Sequence, residues 1–224
     1  MKKNKIFVAC DSTNILKIKK IIRDTSNTEL KIGYKFGLEF LNSKNGRNFV
    51  SKLKNKIIFA DLKLHDIPNT CVSAIKAIKD LKVNYLTIHI SSGLEALKAA
   101  KKVSGSIRLV GVSILTSLDN KELKKIGFNK DVKKLVLQQA KLANKAKLDA
   151  IVCSAQEAKI VKKIFKKEII TPGIRLNSNS NDQKRVLTPK QAFKNGAHSL
   201  VIGRNITEGN IKKNIQTLID HLNQ

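Results

Sequence analysis

Eight short runs rich in apolar and β-branched residues, separated by stretches with helical spacing, constrain this chain more than any other feature. The candidate strands are residues 6–10, 31–35, 57–61, 84–89, 107–113, 149–153, 168–171 and 198–202. Residues 13–23 carry Ile15, Ile18, Ile21 and Ile22 at helical intervals, and residues 67–81 carry Cys71, Ala74, Ile75, Ile78 and Leu81. The last stretch, 207–222, starts at Thr207 as a cap and carries Ile211, Ile215, Leu218, Ile219 and Leu222. Thr188-Pro189 reads as another helix start and Gly196 as a helix stop. Eight β-then-α units in 224 residues predict one α/β domain, residues 1–224, closed as a (β/α)8 barrel of the TIM type. An open doubly wound sheet shares the alternation. It would normally carry a Gly-rich turn after strand 1, where this chain has Asp11-Ser12-Thr13-Asn14.

A barrel places its site at the C-terminal ends of the strands. Those ends carry Asp11, Lys35, Asp61 with Lys63, His89, Ser113 with Thr116, Arg175, and Gly203-Arg204. Asp61 and Lys63 belong to the decamer Asp-Leu-Lys-Leu-His-Asp-Ile-Pro-Asn-Thr, residues 61–70, which follows the apolar run Ile57-Ile58-Phe59-Ala60. Two residues apart on a strand end, they are expected on one face. Asp66 follows, just before a helix start at Pro68. A lysine between carboxylates keeps its proton, because neighbouring negative charge favours the charged form. Such a group can hold a proton beside a reacting carbon; the plainer reading is a salt bridge at a barrel rim. Gly203-Arg204 after strand 8 fits the phosphate site common in such barrels, with Arg175 adding charge and glycine allowing close approach. A glycine turn beside a surface arginine would look the same. Asn177-Ser178-Asn179-Ser180-Asn181-Asp182 is either plain surface or a lid.

The formal net charge of +27 raises the possibility of a nucleic-acid or membrane partner. Several features argue against both. Only six of the 44 basic residues are Arg, and aromatics are 4% with no Trp, leaving little for base recognition or stacking. Lys17, Lys19, Lys20, Lys98, Lys101, Lys102, Lys133, Lys134, Lys162 and Lys163 are interleaved with apolar positions, the pattern of solvated helix faces. No run approaches the ~20 apolar residues of a membrane span. Cys10, Cys71 and Cys153 are widely spaced and odd in number, which predicts buried free thiols in a reducing cytoplasm. Ile6-Phe7-Val8-Ala9-Cys10 is too short for a signal-peptide core. His65, His89, His198 and His221 lack metal-ligand spacing, and His89 is expected to be a hydrogen-bonded structural residue.

The decamer, together with Thr171-Pro172-Gly173-Ile174-Arg175, Asp182-Gln183-Lys184-Arg185-Val186-Leu187-Thr188-Pro189 and Val201-Ile202-Gly203-Arg204, resembles the orotidine-5′-phosphate decarboxylase family. With Asp11 and Lys35 the resemblance spans residues 6–204. Both Lys31-Ile32-Gly33 and Lys35-Phe36-Gly37 fit the family's lysine-x-glycine. Lys35 is chosen because Leu38-Glu39-Phe40 continues the pattern and it lies nearer the strand end. Cys10 stands where the family usually has an aliphatic residue.

The resemblance implies conversion of orotidine 5′-monophosphate to uridine 5′-monophosphate and CO2, a lyase reaction of pyrimidine biosynthesis needing no metal or organic cofactor. It implies that Lys63 stabilises a C6 carbanion and protonates it, that Asp61 lies beside the departing carboxylate, and that Lys35 bonds Asp61 and reaches the ribose. Asp66 would complete an alternating Lys-Asp-Lys-Asp array and, with Thr70, reach into a neighbouring subunit's site, making a homodimer; Ile67 would also bind substrate. Asp11 would bond a ribose hydroxyl. Thr116 and Ser117 would hold the pyrimidine. Arg175, Gln183, Gly203 and Arg204 would surround the phosphate, and Pro172 would bind substrate. The rivals are a Mg²⁺-dependent sugar-phosphate decarboxylase or aldolase on the same barrel, and a basic nucleic-acid-binding protein.

Overall fold

A computed structural model describes residues 4–26, 28–176 and 187–223. Its strands close into a parallel barrel in chain order: β1 (Lys5–Ala9), β2 (Lys31–Gly37), β3 (Ile57–Leu64), β4 (Tyr85–His89), β5 (Arg108–Val112), β6 (Ala150–Val152), β7 (Glu168–Thr171) and β8 (Ser199–Ile202). The ring closes through Lys5–Val8 of β1, paired with Ser199–Ile202 of β8. This is the TIM-type barrel that the alternation predicts.

Helices fill the connections: α1 (Ile15–Thr25), α2 (Leu38–Leu41), α3 (Gly46–Ser51), α4 (Pro68–Ile78), α5 (Leu94–Val103), α6 (Asn120–Lys125), α7 (Val132–Lys145), α8 (Ala158–Ile164), α9 (Pro189–Lys194), α10 (Arg204–Thr207) and α11 (Ile211–Asn223). Their local signals are legible. The Asn14 side chain accepts from the amides of Leu16 and Lys17 at 2.9 and 3.1 Å, capping α1. Thr188 and Gln191 form a capping box at α9, which stops before Gly196 at φ +102°.

The expected final helix differs. Thr207 ends the one-turn α10 instead of capping a long helix. The chain breaks at Gly209 (φ +68°) and restarts after Asn210, whose side chain accepts from the Lys213 amide at 3.1 Å. The predicted helix over 67–81 is α-helical to Ile78 and tightens into a 3-10 turn over Lys79–Leu81.

Inside the barrel, side chains two residues apart climb from one end to the other. At the N-terminal end the Glu168 carboxylate gathers the polar groups. Lys5 Nζ lies 2.6 Å and Ser199 Oγ 2.5 Å from Oε1; Tyr85 OH lies 3.1 Å and Arg108 2.9 Å from Oε2. Above them Phe7, Phe59 and Tyr85 pack with ring centroids 5.0–5.6 Å apart, alongside Val110, Ala150 and Ile170. Gly33 is required in this layer, because a Cβ there would fall 2.7 Å from the Phe7 ring. The next inward residues, Ala9, Lys35, Asp61, Val112, Val152 and Val201, line a cavity at the C-terminal end.

The outward-facing strand residues pack against the helices in a second, larger core. Ile18 and Ile21 of α1, Ile75 of α4, Leu97 of α5, Val136 of α7 and Leu218 of α11 are buried there. The ten lysines assigned to helix faces are exposed, except that Lys101 is half-buried against Asp149 at 2.6 Å. Cys10, Cys71 and Cys153 are free and buried, and burial pushes the Cys10 thiol far above its ordinary range. Among the described residues no helix is long and apolar enough to cross a membrane.

Burial pushes the Glu168 carboxyl up, but Lys5, Ser199 and Arg108 outweigh it and hold it below the ordinary carboxylate range. Because the folded value is depressed, Glu168 contributes stability above its unfolded value of about 4.3, and that stability is lost as pH falls through the folded value. Glu168→Gln should therefore cost about 1–3 kcal/mol at neutral pH. It should also flatten the acid limb of stability, both read from urea unfolding across pH 3–7. An unchanged midpoint and limb would remove this carboxylate as the anchor of the barrel floor.

Candidate active site

The cavity at the C-terminal end of the barrel encloses about 470 Å³. Its charged wall is built by adjacent strands. Ala9 pairs with Lys35 across β1 and β2, and Gly37 with Asp61 across β2 and β3, so Asp11, Lys35 and Asp61 emerge side by side. Lys35 Nζ lies 3.1 Å from Asp11 Oδ1 and 3.3 Å from Asp61 Oδ2, and Lys63 Nζ lies 2.9 Å from the same Oδ2. Gly37 leaves room for this contact: a Cβ there would press within 3.2 Å of Asp11 Oδ1 and 3.3 Å of Lys35 Nζ.

Within one chain the alternating array is thus Asp11–Lys35–Asp61–Lys63. The ammonium between two carboxylates is that of Lys35. Asp66 is not in the array: it is exposed at the chain's surface, and its Oδ1 accepts from the Ile67 amide at 2.7 Å. Of the two lysines that fit the family's lysine-x-glycine, Lys31 is exposed at the start of β2 and Lys35 is buried beside the cavity.

Charge balance sets the protonation of the buried members. Burial pushes the Asp61 carboxyl up, and the ammoniums of Lys35 and Lys63 overcome it, leaving the group below its ordinary range. Burial pulls Lys35 down, and Asp61 with Asp11 overcomes that, leaving it above its ordinary value. Each buried ion therefore stays charged through its partners.

Asp61 and Lys63 meet, but not through the regular alternation of a strand. The β3–β4 register shifts between Ala60 and Leu64, and Lys63 adopts φ +49°, a conformation L residues rarely take. The Lys63 amide donates to the Thr87 hydroxyl at 2.7 Å, and that hydroxyl donates to Asp61 Oδ1 at 3.1 Å. Thr87 escaped the sequence reading. Its one signal is a polar residue at an inward position of the run Tyr85-Leu86-Thr87-Ile88.

On the other side of β1, Pro172, Arg175, Gly203 and Arg204 line the cavity at the ends of β7 and β8. The stems flanking residues 177–186 are tied, with the Arg175 amide donating to Leu187 O at 3.1 Å and the Leu187 amide to Gly173 O at 3.3 Å. Gly203 O accepts from Ile206 N at 2.8 Å, which starts α10. Protein packing does not demand glycine at 203, because a Cβ would meet Ala9 at an ordinary 3.6 Å. Between the two ends the wall is partly apolar: Ile114, Leu115 and Cys153, which the sequence reading did not select, lie beside Thr116.

Ile67, Thr70 and Asp66 do not line their own chain's cavity, and Ser117 does not either. Gln183 and the polar segment 177–182 lie outside the described residues. His89 lies outside the lining, with its ring 5.1 Å from that of His65, and burial lowers its pKa. Among the described residues no group of three His, Cys, Asp or Glu could hold a metal ion.

Residues 4–214 match the model of the orotidine 5′-phosphate decarboxylase / HUMPS family. The chain belongs to this family. A Wolbachia pipientis (Culex pipiens) protein named orotidine 5′-phosphate decarboxylase is 47% identical, over 80% of this chain and 81% of its own. A protein of the same name from Wolbachia of Brugia malayi is 41% identical over 96% and 97%. The crystal structure of orotidine 5′-phosphate decarboxylase from Lactobacillus acidophilus superposes with a TM-score of 0.83 at 29% identity, covering 100% of both chains. The family resemblance carried by the four sequence blocks therefore extends to the whole barrel.

Lys35→Met tests the charge balance of this family member's cavity. Losing the buried ammonium should move the Asp61 carboxyl back up, because burial then acts with one fewer cation opposing it. Carboxyl NMR titration of Asp61 reads the shift. An unmoved titration would mean that Lys35 does not set the charge of Asp61.

Proposed function

We propose that this chain decarboxylates orotidine 5′-monophosphate to uridine 5′-monophosphate, the last step of de novo UMP synthesis, as a cytoplasmic homodimer. The observation that carries the reading is the Asp11–Lys35–Asp61–Lys63 array along one wall of a cavity whose other end presents Arg175 and Arg204.

The chemistry asks for that arrangement. When the C6–carboxylate bond breaks, its electron pair stays in an sp² orbital of the ring that the π system cannot delocalise. Fixed positive charge must meet it. The Lys63 ammonium, held 2.9 Å from Asp61 Oδ2, is that charge. It donates a proton to C6 as CO2 leaves, becomes a neutral amine, and regains its proton from solvent. No electron acceptor enters the balance. Asp61 is pinned between two ammoniums and cannot wander, so the donor stays aimed. Asp11 and Lys35 are placed for ribose hydroxyls, Thr116 for the pyrimidine edge, and Arg175, Gly203 and Arg204 for the phosphate. Glycine at 203 then answers to the ligand, since packing does not ask for it. Gln183 joins the phosphate group by family resemblance alone.

Surface exposure supports the shared site. Asp66, Ile67 and Thr70 follow the C-terminal end of β3, are exposed and do not line their own cavity, and Ile67 is 65% exposed. Exposed at the C-terminal end of β3, these residues can meet a second subunit. The free buried thiols fit a reducing cytoplasm.

The purified protein should convert orotidine monophosphate to UMP in the presence of a metal chelator, and Lys63→Ala should lower kcat by at least roughly 10²–10³-fold. Near-full activity in that variant would remove Lys63 from the mechanism. Turnover of a sugar phosphate instead, abolished by chelator, would give the site to the barrel's sugar-phosphate chemistry. Mixing Lys63→Ala with Asp66→Ala chains in equal amounts, each nearly inactive alone, should restore about a quarter of wild-type activity after subunit exchange, since half of random C2 dimers carry one intact site. No recovery after demonstrated exchange would confine each site to one chain.

A further inference from the structure

We propose that Thr87 is a positioning residue for this reaction, one hydroxyl that sets both Asp61 and Lys63. The inference rests on the proposed decarboxylation for its catalytic consequence and on geometry alone for its structural part. Thr87 sits at the middle of β4, 1% exposed, and does not line the cavity. It therefore touches no substrate and acts through its neighbours.

Its single proton goes to Asp61 Oδ1 at 3.1 Å, and a lone pair takes the Lys63 amide at 2.7 Å. A hydroxyl can do both at once, whereas an isosteric methyl can do neither. The first bond turns the carboxylate so that Oδ2 faces the two ammoniums. The second answers a backbone problem. Between the Ala60↔Leu86 and Leu64↔Ile88 pairs the ladder is interrupted, and the Lys63 amide there bonds a side chain on β4 instead of a strand carbonyl. That bond holds Lys63 in its left-handed conformation at φ +49° and so sets the direction in which its side chain leaves the strand. Loss of the hydroxyl frees the bulge and the carboxylate together, and both groups at the reacting carbon lose their aim.

The test compares Thr87→Val with Thr87→Ser. Thr87→Val should lower kcat between about tenfold and 10²-fold, the scale of a small misplacement at a reacting group, with KM changed less than about threefold. Thr87→Ser keeps the hydroxyl and should stay within about threefold of wild type on both constants. In an Asp61→Asn background Thr87→Val should cost less than it does alone, because its target is already impaired. Hydrogen exchange at the Lys63 amide should quicken in Thr87→Val and not in Thr87→Ser. This readout needs no substrate, so it decides the structural part even if the wild-type protein leaves orotidine monophosphate untouched. Wild-type kcat in Thr87→Val, equal loss in Thr87→Ser, or unchanged amide exchange would each overturn the proposal.

Discussion

One carboxylate organises the catalytic end of this barrel. Asp61 takes two ammoniums on a single oxygen and a hydroxyl on the other, while nearly all of its surface is withdrawn from water. Burial alone would drive it to neutrality, and burial alone would drive the Lys35 ammonium to neutrality as well. Together they stay charged. The arrangement is therefore cooperative: removing Asp61 or Lys35 leaves the other buried ion one partner short, a costlier state than the complete array. A charge held this way is fixed in space before substrate arrives, so little reorganisation is needed when charge develops on a ligand.

The fold makes that array affordable by segregating polarity along the barrel axis. Glu168 and its partners close one end, three aromatic rings block the middle, and the ionic wall opens at the other. The aromatic layer keeps the two polar ends from communicating through water, and it gives the strands a dry section against which their ladder bonds are strong. Gly33 shows how tightly this layer is specified: the Phe7 ring occupies the space of its missing side chain. The same two-residue period that buries Phe7 and Phe59 delivers Ala9 and Asp61 to the cavity, so core packing and site construction are a single choice of register.

That economy explains what could be read from the chain. Each strand carries its own local signal, and in a barrel the end of a strand is also an address. Asp11, Lys35, Asp61, Arg175 and Gly203-Arg204 are therefore legible in the sequence as residues of one mouth. Features that depend on two distant segments left no such mark. Lys5 and Glu168 are 163 positions apart, and neither looks unusual where it stands. Thr87 reads as one more β-branched strand residue until the bulge beside it is seen. The left-handed Lys63 is invisible because its cause lies in β4. The break between α10 and α11 had a visible glycine at 209, but Thr207 offered an equally good cap; nothing local ranks the two. Asp66 enters the array only through the family resemblance, and its exposed position outside its own chain's cavity neither completes the array within one chain nor excludes a neighbouring subunit's site.

Charge bookkeeping across the cavity adds a final step. Asp11, Lys35, Asp61 and Lys63 sum to zero, so the reacting end offers directed charge without net attraction for an anion. Arg175, Arg204 and Glu208 also line the cavity and together add one positive charge, within a chain of net charge +27 whose lysines spread over the helix faces. In the reaction proposed above, a substrate with a phosphate at one end and a carboxylate at the other would be drawn in by the field of the whole molecule, and held by its phosphate. Its carboxylate is brought against a wall that already contains Asp61. Binding energy collected at the phosphate end can then hold the other end where the ground state gains little, while the carbanion, once formed, faces the Lys63 ammonium. Interactions stronger in the transition state than in the ground state are the ones that accelerate a reaction. A wall of balanced charge, with its positive member aimed at the carbon, supplies that difference where a uniformly basic pocket would bind both states alike.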